Sequence, residues 1–389
     1  YELTADITVT EPYGNTFTGT FDGKGHTVTL AIDKDSDSNV GLFSEVGTGG
    51  TVKNVITDGS VSGSQYVAGI AGKSAGTIEN CLNKAAITGS GSDACAGIAA
   101  ATTSGAVKSC GNTGTITAGS NGRWVGGIIG NLKNTTVTDC YNQGTINTTR
   151  KNPYVGGIAG NTGTGGSIGN CYNTGIINIS DTTTQNYGGI IGWLVSAVTF
   201  ETCYYLDTSA SKGVDGYNLA DDLTAKAISK TAAEMHSADF AKLLGDGFTA
   251  KAGSYPTLAW EIPTASVDFT LSPANAVLTI NGGRYTGSTT VALPAGTHSY
   301  TVSCDGYTSQ DGSITVTAAQ AESGAALAPV SVTLEKDASL WCTAIFNLTP
   351  SDATVVVKDG DTVVKPESDG SYQLLKSHSY TYTVTHSDE

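Results

Sequence analysis

Between residues 40 and 206, short apolar runs alternate with small polar residues, glycine and asparagine, and the same order of runs returns six times. The clearest copy reads YVGGIAGN, a few small residues, SIGNCYN and then TGIIN. A glycine-apolar pair marks each copy, at Gly41-Leu42, Gly69-Ile70, Gly97-Ile98, Gly127-Ile128, Gly157-Ile158 and Gly189-Ile190, so the period is 28 to 32 residues. A second column holds Val55, Cys81, Cys110, Cys140, Cys171 and Cys203, and a third holds Asn83, Asn112, Asn142 and Asn173. Periods of this length belong to solenoids and arrays.

Each copy contains three β-branched or glycine-rich runs, such as residues 155–159, 167–172 and 175–179, and none has helical periodicity. Three short strands per period predict one coil of a parallel β-helix. Strict alternation would turn Ile158 away from Val155. A bulge at the glycines is expected to re-aim it inward.

The flanking pattern completes the architecture. Alternating runs in residues 1–32, broken by Gly14-Asn15 and by residues 21–25, predict starter strands that cover the open end. In residues 207–262, Thr231 with Glu234 forms a capping-box pattern, Ser237 is a second N-cap, and Gly245 ends an apolar stretch. Short helices carrying Phe240, Leu243 and Leu244 over the last coil are expected, with residues 255–260 closing it as an edge strand. Residues 263–336 show short strands separated by turns such as Asn281-Gly282-Gly283, the spacing of a small sandwich. Phe269, Pro273 and Ala276 recur at Phe346, Pro350 and Ala353, so residues 337–389 read as a second module, smaller or cut short. The predicted fold is therefore all-β. It is a right-handed parallel β-helix (solenoid) with a small helical cap over residues 1–262, followed by Ig-like β-sandwich modules at 263–336 and 337–389.

Composition changes this picture in one respect, the choice of partners. The chain of 389 residues has a formal charge of −15 and only 14% charged residues. It shows no Lys/Arg cluster that could draw nucleic acid or an anionic membrane. No apolar run reaches the roughly 18–20 residues that span a bilayer. Lacking an initiator Met and ending abruptly, the chain reads as a mature or trimmed fragment of an exported protein whose signal and anchoring segments, if any, lie outside it.

Four groups invite a chemical reading. The cysteine column would stack one thiol above another at about 4.8 Å, too regular for tetrahedral zinc, and no histidine occurs between His26 and His236. Buried thiols acting as small hydrophobes are expected, Cys95 among them, with inter-rung disulfides as the alternative. The asparagine column suits a repeated turn, since Asn tolerates left-handed backbone and its amide can bond the next coil. The acidic run of residues 33–39 begins like an EF-hand loop, but Ser38 stands where glycine is needed and Ser44 where glutamate is needed. A solvated surface loop is expected there. Two aromatic columns remain: Tyr66, Trp124 and Tyr154 before the Val-Gly run, and Tyr141, Tyr172 and Tyr204 after the cysteine. Both are expected outward, either as a ligand-contacting face or as stacking that stabilises the surface.

The run FTGTFDGKGHTVTLAI, followed by VGLFSEV, TVKNVITDGSVSG and repeated VGGIIGN and NCYNQGTI, resembles the GLUG-repeat proteins of bacterial surfaces over residues 15–206. The third copy departs from the pattern, with Ala99-Ala100-Ala101 in place of Ala-Gly-Asn. The order of NGG, LPAGTHSYTV and DGY resembles PEGA-like modules. Some GLUG relatives carry metalloprotease domains, yet no HExxH motif occurs in this chain. The resemblance implies surface display and binding.

Catalysis is not supported by residue placement. Asp58, Glu79, Asp93, Asp139 and Glu201 fall in different columns, and no convergent acid pair for glycoside cleavage can be named. The expected function is that of a non-enzymatic, extracellular bacterial cell-surface adhesin without cofactor or metal. Host or matrix glycan or protein is its partner class, with Tyr66, Trp124, Tyr154, Tyr141, Tyr172 and Tyr204 as candidate ligand contacts. A carbohydrate-active enzyme (polysaccharide lyase or glycosidase) and a structural spacer are the alternatives.

Overall fold

The computed structural model describes the chain except residues 92, 181–185, 196–197, 217–224, 252, 323 and 387–389. It divides into two compact units, Tyr1–Glu261 and Ile262–Glu389.

The first unit is a parallel β-solenoid of about six turns. One coil contains Tyr154–Gly156, Ala159–Thr162, Ser167–Gly169, Tyr172–Asn173 and Ile177–Ile179. Each strand pairs in parallel with its equivalent in the preceding coil, as in Trp124↔Tyr154, Ile129↔Ala159, Val137↔Ile168, Tyr141↔Tyr172 and Ile146↔Ile177. There are five short strands instead of three because bends at Gly157-Ile158 and at Asn170-Cys171 interrupt the apolar runs. The first bend carries the chain from a 22-stranded sheet to an eight-stranded one and turns Ile158 into the core.

Burial follows the columns. Val155, Ile158, Ile168 and Cys171 are inaccessible to solvent, and their equivalents in neighbouring coils belong to the same core. Each such aliphatic side chain contributes roughly 1.5–3 kcal/mol of burial. Cys81, Cys110, Cys140, Cys171 and Cys203 are unpaired and fully buried, and Cys95 sits in register with Val67 and Val125. Asn83, Asn112 and Asn142 each donate through Nδ2 to Oδ1 of the next asparagine at 2.7–2.8 Å, ending on Asn173. The left-handed backbone expected of this column lies elsewhere. It belongs to the residue before Val55, Cys81, Cys110, Cys140 and Cys171: Asn54, Asn80, Ser109, Asp139 and Asn170 have φ of 48–54°.

Two other expectations are corrected. The acidic run is not a loop; it continues the strand Thr27–Val40, which pairs with Thr51–Ala68 and is irregular between Lys34 and Ser38. Ile32 points inward while Asp33 and Asp35 project outward, and Asp33 Oδ1 accepts a 2.6 Å bond from Ser62. The starter strands Ile7–Val9 and Tyr13–Phe17 form a first coil without sealing it. Ile7 and Tyr13 stay exposed beside an apolar hollow of about 350 Å³ that also touches Phe17 and Phe43.

The helical segment lies along the flank of the coils. Helix α1 (Ala232–Met235) has the expected Thr231/Glu234 capping box, and α2 (Ala238–Leu244) is capped by Ser237. Phe240 and Leu244 are buried as expected, but Leu243 is 56% exposed. The buried pair packs with Met235, Phe248 and Leu258 against Tyr204, Tyr172, Tyr141 and Leu82, residues of four different coils. The segment is thus a strap running back over earlier coils. Its strand Thr257–Leu258 pairs antiparallel with Phe248–Thr249 and adds nothing to the coil edge. Ala227–Lys230 takes that role, pairing in parallel with Cys203–Leu206.

In the second unit, Thr264–Ser272 pairs with Thr289–Pro294 and Val330–Thr333. A four-stranded sheet formed by Val277–Ile280, Gly283–Thr286, Gly296–Ser303 and Gln310–Val316 faces it across Val267, Phe269, Leu278 and Val302. These sheets fit a β-sandwich module. Two smaller sheets follow within residues 341–385. The indole Nε1 of Trp341 donates to Gly306 O at 2.6 Å, tying them to the sandwich.

Candidate binding surface

The outer surface near the glycine bend is built from two columns of side chains. The first holds Tyr66, Ala94, Trp124 and Tyr154, fixed by the pairs Cys95↔Val67, Ala94↔Trp124 and Trp124↔Tyr154. The second holds Lys73, Ala101, Asn131, Asn161 and Trp193.

Glycine lets the strands carrying these columns meet closely. A β-carbon at Gly126 would lie 1.9 Å from the Ile129 carbonyl oxygen, and one at Gly160 would lie 2.5 Å from Val125 N. No side chain fits between the strands there, so outward residues on either side of the bend come within contact. Tyr154 and Trp193 stack at 5.2 Å with their planes 15° apart. Lys73 Nζ lies 4.5 Å from the centre of the Tyr66 ring, and the Arg123 guanidinium lies 4.9 Å from that of Trp124.

Tyr66, Trp124, Tyr154 and Trp193 are all half-buried, the condition of a ring that keeps one part available to a partner. Tyr66 also has a left-handed backbone, φ 54°, which a bulky residue adopts only under strain. Burial, followed by the neighbouring Asp93 carboxylate, pushes the Tyr66 hydroxyl up. Asn161 Nδ2 donates to Asn131 Oδ1 at 2.9 Å, while Asn161 Oδ1, on the side where Trp193 interrupts the ladder, is buried with no partner.

The other three tyrosines are not on this surface. Tyr141, Tyr172 and Tyr204 project away from the coil core as expected, but all three are buried under the strap. Tyr141 and Tyr172 stack at 5.4 Å, and Tyr204 meets Phe240 edge-on at 5.2 Å. The Tyr141 hydroxyl donates to Glu261, and that of Tyr172 to the Pro256 carbonyl. Covered on both faces, they cannot contact a ligand from solution while the strap is in place.

Trp193, Asn131, Asn161 and Lys73 were not among the residues singled out from sequence. Alignment of GGIIGNL, GGIAGNT and GGIIGWL places Asn131, Asn161 and Trp193 at one repeat position, and that signal would have found them. The carboxylates of the repeats do not converge on this surface: Glu79 lies in register between Lys53 and Lys108, for example. Among the described residues, no His/Cys/Asp/Glu group is arranged to hold a metal ion.

Known proteins match parts of this chain. The GLUG motif matches residues 151–180 and the PEGA domain residues 267–325. Halomucin of Haloquadratum walsbyi is 37% identical over 110 residues, 23% of this chain. The matched stretch spans 1% of halomucin's own length. A crystal structure of a candidate immunoglobulin A1 protease from Bacteroides ovatus covers 67% of this chain and 86% of its own, with a TM-score of 0.51 and 20% identity. That likeness is one of fold. The matched modules fit an exported surface protein.

Proposed function

We propose that this chain is a non-enzymatic, extracellular surface protein of the adhesin type, whose rigid solenoid presents the Tyr66–Trp124–Tyr154–Trp193 surface to a host or matrix glycan or protein. The observation that supports this reading is the surface itself. Four half-buried rings are held on neighbouring coils by parallel pairing, two of them carrying cations. Aromatic rings held rigidly lose little conformational freedom on contact, so they convert buried area into affinity efficiently. Among the described residues, the carboxylates of the repeats do not converge on this surface as the pair that cleaves a glycosidic bond would.

The test is binding of the full chain to glycan arrays and to extracellular-matrix proteins, repeated with Trp124→Ala and Tyr154→Ala. Loss of binding by either variant, with an unchanged circular dichroism spectrum, is the expected result. Binding that survives both substitutions removes this surface from the proposal.

A further inference from the structure

The coil of the third repeat copy breaks the outer pattern. Where the coil after it carries Trp124, Gly130 and Asn131, it carries Ala94, Ala100 and Ala101. Both columns are therefore reduced to methyl groups at this one level. Tyr66 stands one coil before and Trp124 one coil after, and both rings pack against the buried floor of Ala68, Ala94 and Ala100. Successive coils are spaced by about 4.8 Å, so the backbones bearing the two rings stand roughly 9–10 Å apart. A saturated six-membered ring seated between two aromatic faces needs about 7–8 Å, at 3.5–4 Å of contact on each side.

Each wall of this slot carries one cation, and Glu45 of the preceding coil lies in register with Lys73. Lys73 lies against Tyr66, and the exposed Arg123 lies against Trp124. Asp93 is the carboxylate beside Tyr66. The setting is unusual for this chain: residues 40–206 contain eight Lys/Arg and seven Asp/Glu, so the charge of −15 resides outside the repeats. The strained backbone of Tyr66 holds its ring at the slot, where a relaxed residue such as asparagine would serve the coil equally well.

We propose that the slot between Tyr66 and Trp124 is a subsite for an acidic sugar residue of a glycan, a carboxylated or sulfated pyranose. Its apolar ring face packs on the aromatic walls, and its anionic group pairs with Lys73 and Arg123. This rests on the reading of the surface as a binding face and deepens it by naming the ligand class.

The experiment is calorimetric titration of the full chain with a hyaluronan hexasaccharide, a heparin-derived hexasaccharide, oligogalacturonate and, as neutral control, cellohexaose. At least one acidic oligosaccharide should bind at least about tenfold more tightly than cellohexaose, as expected when a charged hydrogen bond is gained. Its affinity should fall steadily between low and high salt. Lys73→Gln and Arg123→Gln should each weaken that binding about tenfold, with unchanged melting temperature. Tyr66→Asn removes the ring and relieves the backbone, so its loss of binding with retained or raised stability would separate recognition from folding. Binding that is lost in Trp124→Ala but indifferent to salt and to the two glutamine variants overturns the acidic-sugar assignment and leaves the binding face standing. Acidic-sugar binding that survives Tyr66→Asn and Trp124→Ala overturns the slot. No binding to any of the four sugars, with Trp124-dependent binding to a matrix protein, also overturns the assignment.

Discussion

The Tyr141 hydroxyl donates a 2.9 Å hydrogen bond to Glu261 Oε2, joining residues 120 positions apart. Glu261 also accepts from Leu258 N at 3.1 Å, and Trp260 donates to Ser109 O, so this corner anchors the strap to the solenoid. Desolvation raises the Glu261 carboxyl above its ordinary value of 4.5. A carboxyl whose folded pKa is raised binds its proton more tightly in the folded state. Stability therefore falls as pH rises from the ordinary value through the raised one, and recovers on acidification. Glu261→Gln keeps an acceptor for Tyr141 without the charge. Thermal melts between pH 4 and 7 should show less pH dependence in the variant than in the wild type, and identical profiles would remove this carboxyl from the account.

The strap also marks how far the sequence was legible. Its helices could be read locally, because Thr231, Glu234 and Ser237 act within three residues. Its docking could not. The contacts that place it are between residues such as Trp260 and Ser109, far apart in sequence and without a repeat to set their register. The coil columns are the opposite case, since one period aligns every copy and parallel pairing keeps equivalents adjacent. For the same reason Tyr66, Trp124 and Tyr154 could be placed outward from sequence, while the burial of Tyr141, Tyr172 and Tyr204 depended on the strap.

The buried cysteines act as core hydrophobes. Val55 occupies the cysteine position one coil before Cys81. Cys171→Val should accordingly change stability by less than about 1.5 kcal/mol. Cys171→Asp or Ile158→Asp buries an unpaired charge at a site with no solvent access and should cost several kcal/mol. Chemical denaturation distinguishes the two outcomes, and a wild-type transition for either aspartate variant would show that the columns do not face inward.

The amide ladder supplies stability that an apolar residue cannot replace. In Asn142→Ala, Asn112 Nδ2 loses its acceptor at 2.7 Å and Asn173 Oδ1 loses its donor at 2.7 Å. Two buried polar groups are weakened at once, although Asn112 Nδ2 keeps its bond to Gly114 O. A loss of about 2–4 kcal/mol is expected, measured by urea unfolding. An effect below the precision of the extrapolation would mean that the ladder relaxes around the gap.

In the second unit, His378 sits between two carboxylates, with Nδ1 2.6 Å from Asp359 Oδ2 and Nε2 2.9 Å from Asp305 Oδ2. Hydrogen bonds to Asp359 and then Asp305 raise its pKa above the ordinary 6.5. A raised imidazole contributes stability that is fully present below 6.5 and is lost as pH rises through the shifted value. The His378 ring resonance should titrate above 6.5 in the full chain, and salt should lower the midpoint because the site is open to solvent. His378→Gln should unfold with less pH dependence between pH 6 and 8.

The left-handed column offers a stabilising substitution. Asn54, Asn80 and Asn170 fill this position with the residue that tolerates it best, but Ser109 adopts φ 48° with a side chain that does not favour it. The backbone carbonyl of Ser109 carries the bond from Trp260, so the side chain can change without loss of that anchor. Ser109→Asn is expected to gain about 0.5–1 kcal/mol by relieving part of the left-handed penalty. In the coils before and after, Asn80 donates to Asn54 at 3.2 Å and Asn170 to Asp139 at 3.4 Å, so the new amide can join its neighbours. Thermal unfolding of the full chain gives the readout. A lower melting temperature for Ser109→Asn would mean that the strap, and not the bend, sets the conformation at this position.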